Sequence, residues 1–239
     1  KPADFDHDGD VDLFIGSRVK KGMFPHSDPS WLLINENGNL SAKDPLKFDL
    51  GMVTDAVWSD YDKDGWEDLL VTREWNSIAV LKNTGRKELV KTDLKSFDNY
   101  HGFWFSIIAG DFDNDGDDDY IVGNLGENNR FTISDKYPVS LYSIDLDLDG
   151  VIDPVSTAYW KDKDGKMTEY PINYLDELIE QSNLFQKLFS GQGAELRRTR
   201  RPLAQLLVLG LGQRRQANGN LLASQSAQRG RPCVGLINR

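Results

Sequence analysis

Short apolar runs punctuate the chain from Lys1 to Tyr170, each bounded by Gly, Asn or Asp. They include Leu13-Phe14-Ile15, Trp31-Leu32-Leu33-Ile34, Ala56-Val57-Trp58, Leu69-Leu70-Val71, Ile78-Ala79-Val80-Leu81, Ile107-Ile108-Ala109, Tyr120-Ile121-Val122 and Leu141-Tyr142-Ser143-Ile144. Runs this short, rich in β-branched and aromatic residues and closed by turn formers, predict strands. Asn35-Glu36-Asn37-Gly38 and Asn83-Thr84-Gly85 read as turns, and Asp162-Lys163-Asp164-Gly165 as a hairpin turn between Trp160 and Met167. The pattern changes after Tyr170. Leu175, Leu178, Ile179, Phe185, Leu188 and Phe189 recur at helical spacing, and Asn173 with Asp176 three residues on predicts the cap of a helix within 171–190. That apolar stripe is expected to pack on the β domain.

Between the predicted strands lies a repeat: Asp, any, Asp, any, Asp, Gly, any, any, Asp. It occurs at Asp4–Asp12, Asp60–Asp68, Asp111–Asp119 and Asp145–Asp153, with all five fixed positions filled in every copy. A hard divalent cation takes six to eight oxygen ligands, and carboxylates at positions 1, 3 and 5 converge on one ion only if the chain curls tightly. Gly9, Gly65, Gly116 and Gly150 permit that curl. The expected Ca²⁺ ligands are therefore Asp4, Asp6, Asp8 and Asp12; Asp60, Asp62, Asp64 and Asp68; Asp111, Asp113, Asp115 and Asp119; and Asp145, Asp147, Asp149 and Asp153. Backbone carbonyls at position 7 (Asp10, Trp66, Asp117, Val151) complete each set. An EF-hand is excluded, because its twelfth position needs Glu and here holds Ile15, Val71, Val122 and Ser156. A single Asp/Gly turn would be explained without metal. Four copies in one register, each with four carboxylates in nine residues, repel themselves unless a cation is present.

Motif starts lie 56, 51 and 34 residues apart, and a unit of about 50 residues and four strands is the size of a propeller blade. The blocks DFDHDGDVDLFIG, SDYDKDGWEDLLV and GDFDNDGDDDYIVGN resemble the FG-GAP or VCBS repeats of integrin-α-type β-propellers. The longer stretch to EYPINYLDELIEQ is similar to VCBS-repeat proteins of the ASPIC/UnbV (CRTAC1-like) group, common in Bacteroidetes. The resemblance implies a secreted or cell-surface seven-bladed propeller with structural calcium, no shared catalytic residues and mostly undefined ligands; the expected partner is an extracellular protein or glycan of unknown identity. The expected fold is all-β: three to four blades of such a propeller over 1–170, calcium loops between strands, an edge helix over 171–190 and a disordered tail over 191–239. The shorter third interval points to an inserted loop within Asn124–Lys136.

Composition sharpens this picture. The 239 residues carry a net charge of −10, which argues against nucleic acid as the partner, and no apolar run is long enough to span a bilayer. The lone Cys233 forms no intrachain disulfide, and a chain starting at Lys1 reads as a fragment whose missing signal peptide says nothing of localisation. The tail 191–239 holds nine Arg, one acidic residue, no Lys and no aromatics. It fits a basic tail, a linker or out-of-frame translation, and the simultaneous loss of Lys, Asp and aromatics favours the last; no packed structure is expected there. The segment 1–190 then holds 19 basic and 37 acidic groups, a net of −18.

An enzyme, such as a polysaccharide lyase or hydrolase, is the alternative reading. It needs acid/base groups free of metal, and His7, His26, His101, Glu74 and Glu127 are thin candidates with no sequence-visible partners. Trp58, Trp75 and Trp104 read as blade packing, and Trp66 and Trp31 as exposed.

Overall fold

A computed structural model describes residues 1–92, 101–125, 130–131, 133–134, 136–145, 149–181, 183, 185–186, 225–228 and 235–237. Two compact units divide the chain: Lys1–Lys20 with Pro25–Asn129 and Arg231–Arg239, and Lys21–Phe24 with Arg130–Gly230. The division falls inside the segment that the sequence reads as an insertion.

The first unit is a succession of antiparallel meanders. Strands β1 (Pro2–Ala3), β2 (Asp12–Ile15), β3 (Ser30–Leu33) and β6 (Leu46–Phe48) form one sheet in the order β1-β2-β3-β6, with a small hairpin of β4 (Asn35–Glu36) and β5 (Asn39–Leu40) beside it. The next meander joins β7 (Met52–Ser59), β8 (Asp68–Asn76), β9 (Ala79–Asn83) and β10 (Leu89–Thr92). A third hairpin, β11 (Gly102–Gly110) with β12 (Asp119–Asn124), pairs back onto β8 through Gly102↔Asn76 and Phe103↔Glu74. Near that junction β8 bends at Trp75, whose φ is 62° and whose ring meets Phe103 edge-on at 4.4 Å between centroids.

Successive side chains of a strand point to opposite faces, so each sheet offers two apolar faces. In β8, Leu69 and Val71 join Phe5, Phe14, Leu32, Val53, Ala56, Ala79 and Leu81 in one core. Leu70 and Val80 face the other way, into a second core with Trp104, Ile107, Tyr120 and Val122. The second meander is thus covered by the first sheet on one face and by the β11–β12 hairpin on the other, which is why Leu69-Leu70-Val71 within β8 is apolar at every position. This is a propeller-like, all-β arrangement of stacked sheets, as the sequence predicts.

In the second unit, β13 (Val139–Ile144), β14 (Asp153–Lys161) and β15 (Met167–Pro171) form a further meander. The turn predicted at Asp162–Gly165 closes β14 onto β15, with Asp162 N–H donating to Lys166 O at 2.8 Å. Helix α1 (Leu175–Gln181) buries Leu175 and Leu178. Its cap lies one residue later than the sequence suggests. The Leu178 N–H donates to Tyr174 O at 3.2 Å, and Glu177 Oε2 accepts the Tyr174 N–H at 2.8 Å, so Tyr174 and Glu177 replace Asn173 and Asp176. Phe185 is buried as expected, while Leu188 and Phe189 lie outside the described residues.

In the tail, two short strands are described. Strand β16 (Gln225–Gln228) pairs with β13 and β17 (Gly235–Ile237) with β12, where the sequence predicts no packed structure. Both extend a backbone ladder at a sheet edge, a pairing that hydrophobic patterning does not report.

Candidate metal centres

All four acidic repeats are hairpin loops of identical register. The residue before position 1 pairs with position 9 in each: Ala3↔Asp12, Ser59↔Asp68, Gly110↔Asp119 and Ile144↔Asp153. The ladder thereby fixes both ends of each loop, and the local chemistry folds the rest. The position-1 carboxylate accepts peptide N–H groups from positions 5 and 6, Asp8 and Gly9 onto Asp4 at 3.1 and 3.0 Å. Asp64 and Gly65 donate to Asp60 at 3.0 and 2.9 Å, and Asp115 and Gly116 to Asp111 at 3.1 Å each. Position 5 in turn accepts the N–H of position 7, as Asp8 does from Asp10 at 2.9 Å and Asp149 from Val151 at 2.8 Å. The curl requires left-handed backbone at position 4 (His7, Lys63, Asn114, φ 57–62°) and at position 6, where Gly9, Gly65, Gly116 and Gly150 have φ of 88–93°.

These turns gather carboxylates. Ligand oxygens of Asp4, Asp6 and Asp8 lie within 4.8 Å of one another, as do those of Asp60, Asp62 and Asp68 and those of Asp111, Asp113 and Asp115. Asp62 Oδ1 and Asp68 Oδ2 are buried without a hydrogen-bond donor among the described residues. The buried Asp6 Oδ2 meets only the ammonium of Lys87, at 2.7 Å. An all-oxygen donor set with orphaned carboxylate oxygens fits a hard divalent cation. In the fourth loop, Asp145 and Asp149 keep the same peptide bonds, with Gly150 N–H on Asp145 at 3.0 Å; Asp147 lies outside the described residues.

At position 9 the carboxylate also braces the hairpin. Asp12 accepts the Phe5 N–H at 3.1 Å and the Asn35 N–H at 2.7 Å, and Asp119 accepts the Phe112 N–H at 3.2 Å. In the second loop Asp68 does both, joining the cluster and accepting the Asn83 N–H at 2.7 Å. Position-7 residues are held by their N–H groups, and Asp10 Oδ2 also accepts the Asn37 N–H at 2.6 Å.

Burial makes the ionised clusters costly. Asp68 is pushed up to about 6, first by loss of solvent and then by Asp64 and Asp60, against the stabilising peptide bonds. Burial also raises Asp12, and raises Asp113 with help from Asp115 and Asp119. Lysines offset part of this charge. Lys82 pairs with Asp62 and with Asp64 (2.9 Å), Lys87 with Asp6, and Lys63 of the second loop with Asp117 of the third.

Sequence reasoning missed Asn35 and Asn83. Each follows a Leu-x pair at the end of a strand, caps position 9 through its N–H, and turns its side-chain amide back onto position 8: Asn35 Nδ2 to Val11 O at 3.0 Å, Asn83 Nδ2 to Glu67 O at 3.2 Å. The shared Leu33-Ile34-Asn35 and Leu81-Lys82-Asn83 was the available signal, hidden because the spacing from the motif differs. Asn83 also reaches the preceding loop, donating to Phe5 O at 2.7 Å.

The other candidates have structural surroundings. His7 stacks on Trp66 (4.2 Å, 11°), so Trp66 is half-buried where exposure is expected, with Gly85 against its ring. Trp31 is 37% exposed as expected, Trp75 and Trp104 are buried, and Trp58 is half-buried at the edge of the first core. Glu74 is buried and paired with Arg18, His101 is half-buried, His26 O accepts the Lys20 N–H, and Glu127 lies outside the described residues.

Stacked antiparallel sheets whose hairpins end in repeated acidic loops define an all-β repeat protein. Residues 4–71 and 60–122 match the family model of the FG-GAP-like repeat, so the chain carries FG-GAP repeats through its first three loops. Neither the curated proteins nor the solved structures provide a match. Among the described residues no helix is long and apolar enough to cross a membrane.

Proposed function

We propose that this chain is a calcium-binding, extracellular β-propeller module for ligand binding or adhesion, that its calcium is structural, and that it is not an enzyme. The observation that carries the reading is that a cluster of three carboxylates recurs in three loops of one geometry. FG-GAP repeats are typical of extracellular proteins, and millimolar calcium outside cells saturates even weak oxygen sites. Within the family, the ASPIC/UnbV group is the proposed branch, on the resemblance of roughly residues 4–190. A bound Ca²⁺ supplies positive charge that neutralises the cluster. Asp4, Asp6 and Asp8 would hold it in the first loop, Asp60, Asp62 and Asp68 in the second, and Asp111, Asp113 and Asp115 in the third, while Asp145, Asp147 and Asp149 serve the fourth.

A cation that binds the folded loops and not the unfolded chain stabilises the fold. Thermal unfolding is expected to move up with calcium and back with chelator. The double variant Asp111→Ala and Asp113→Ala is expected to lose about a quarter of that shift, one of the four proposed sites. An identical calcium response in parent and variant would remove the basis for the third site.

A further inference from the structure

Two lysines from different elements reach the same pair of motif positions. Lys82, near the end of β9, places its ammonium on Asp62 and, at 2.9 Å, on Asp64, positions 3 and 5 of the second loop. Lys87, in the turn between β9 and β10, lies 2.7 Å from Asp6 and 3.8 Å from Asp8, positions 3 and 5 of the first loop. The third loop differs. Among the described residues, Asp113 and Asp115 have no Lys or Arg partner, and Lys63 pairs instead with Asp117 at position 7, whose side chain lies outside the expected ligand set.

The strands explain where the lysines come from. Lys82 lies between Leu81, buried in the first core, and Asn83, whose N–H braces Asp68. The first sheet has Ile34 at the matching place before Asn35, so its loop draws on Lys87 of the next meander. An ammonium is a compact point charge with three donors, enough to relieve the repulsion of two carboxylates. It leaves part of the second loop unanswered, because Asp62 Oδ1 and Asp68 Oδ2 are buried without a donor among the described residues, and Asp68 is only 1% exposed. A divalent cation with six to eight oxygen ligands would take up those oxygens together with the pair that the lysine holds.

We propose that Lys82 and Lys87 are tethered counter-ions that calcium must displace, so that the first and second loops bind the metal more weakly than the third and keep their fold without it. Stabilisation that the ammonium contributes to the metal-free loop is subtracted from the affinity for calcium. The inference rests on the calcium reading and adds to it an order of filling, third loop first. Lys82 is the stronger competitor, since its side chain is 35% exposed against 58% for Lys87 and is less screened by solvent.

Calcium titration of the full chain, followed by amide NMR, tests this loop by loop. The Gly9, Gly65 and Gly116 N–H groups each donate to position 1 of their own loop, so each signal reports one site. In the parent, Gly116 is expected to respond at the lowest calcium concentration. Lys82→Met keeps the aliphatic stem and is expected to tighten the Gly65 response about tenfold, to leave Gly116 unchanged, and to lower the melting temperature in chelator. Lys82→Arg keeps the charge and is expected to follow the parent. Lys47→Met removes an equal charge from β6, beside Trp31 in the first sheet, and is expected to leave Gly65 where it is. An unchanged Gly65 response in Lys82→Met, an equal tightening in Lys47→Met, or a Lys82→Met protein as stable as the parent in chelator would overturn the proposal while leaving the proposed function intact. A parent in which none of the three glycines responds to calcium would overturn both. Lys82→Gln, which still donates a hydrogen bond to Asp62 or Asp64, takes the place of Lys82→Met where circular dichroism shows that the latter has not folded.

Discussion

The acidic loops show at residue scale how little freedom the motif leaves. Gly65 at position 6 has φ 89° and nothing within 4 Å of a Cβ built on it, so its requirement is purely conformational. Gly85 combines both constraints. Its φ is 67°, and a Cβ there would stand 2.6 Å from Trp66 Cε2, against the indole that carries the His7 stack. Gly85→Ala is therefore expected to lower stability by about 1–3 kcal/mol, through left-handed strain together with displacement of Trp66. Denaturant unfolding in saturating calcium measures this. A change within about 0.5 kcal/mol, as at an ordinary surface position, would mean that the ring shifts freely. The residue types at the Asp and Gly positions were legible from the sequence. The contact of Gly85 with Trp66 was not, because the whole β8–β9 hairpin lies between them in the chain.

The hairpin loop is the element on which charge acts. Asp68 titrates near 6 when folded because burial and its neighbours disfavour the anion, while unfolded it returns to the ordinary carboxylate value near 4. The folded state thus binds the proton more tightly than the unfolded one. This contribution to stability is fully present below about pH 4 and is lost as pH rises through about 6. In chelator, Asp68→Asn is expected to remove that part of the decline, since an amide oxygen still accepts the Asn83 N–H. Melting curves of parent and variant between those pH values, with and without calcium, provide the check. Parallel profiles in chelator would contradict the burial argument. The loops themselves, the strands on either side and the absence of an EF-hand were all readable from spacing. The peptide groups that Asp12 and Asp119 brace were not, because the spacing of the motif does not say which N–H groups its carboxylates meet. The helix cap moved by one residue for a similar reason: Asn173–Asp176 and Tyr174–Glu177 have equal spacing, and only the backbone path selects between them.

For the whole molecule, the balance is between acidic loops and the cations that answer them. A net of −18 over the segment 1–190 is concentrated in the loops, where Lys63, Lys82 and Lys87 pair with loop carboxylates. Without calcium, raising sodium chloride from about 0.05 to about 0.5 M is expected to raise the melting temperature, as the screening length falls below the spacing of the clusters. With calcium bound, the same change has a smaller effect. Equal salt dependence in both conditions would show that the loops are not where the destabilising charge lies.

The sequence by itself determined the repeat, the strand-loop-strand unit and the curl at each glycine. These depend on residues a few positions apart, where backbone sterics and side-chain chemistry leave one solution. Only the tertiary structure decided which face of each sheet is covered, which Asn braces which loop, where Trp66 lies and which aspartates converge. Those outcomes depend on alternation carried through the register of several strands, and on contacts between hairpins distant in the chain. A one-residue choice of register exchanges the two faces of a strand, and linear spacing does not record which neighbour each face will meet.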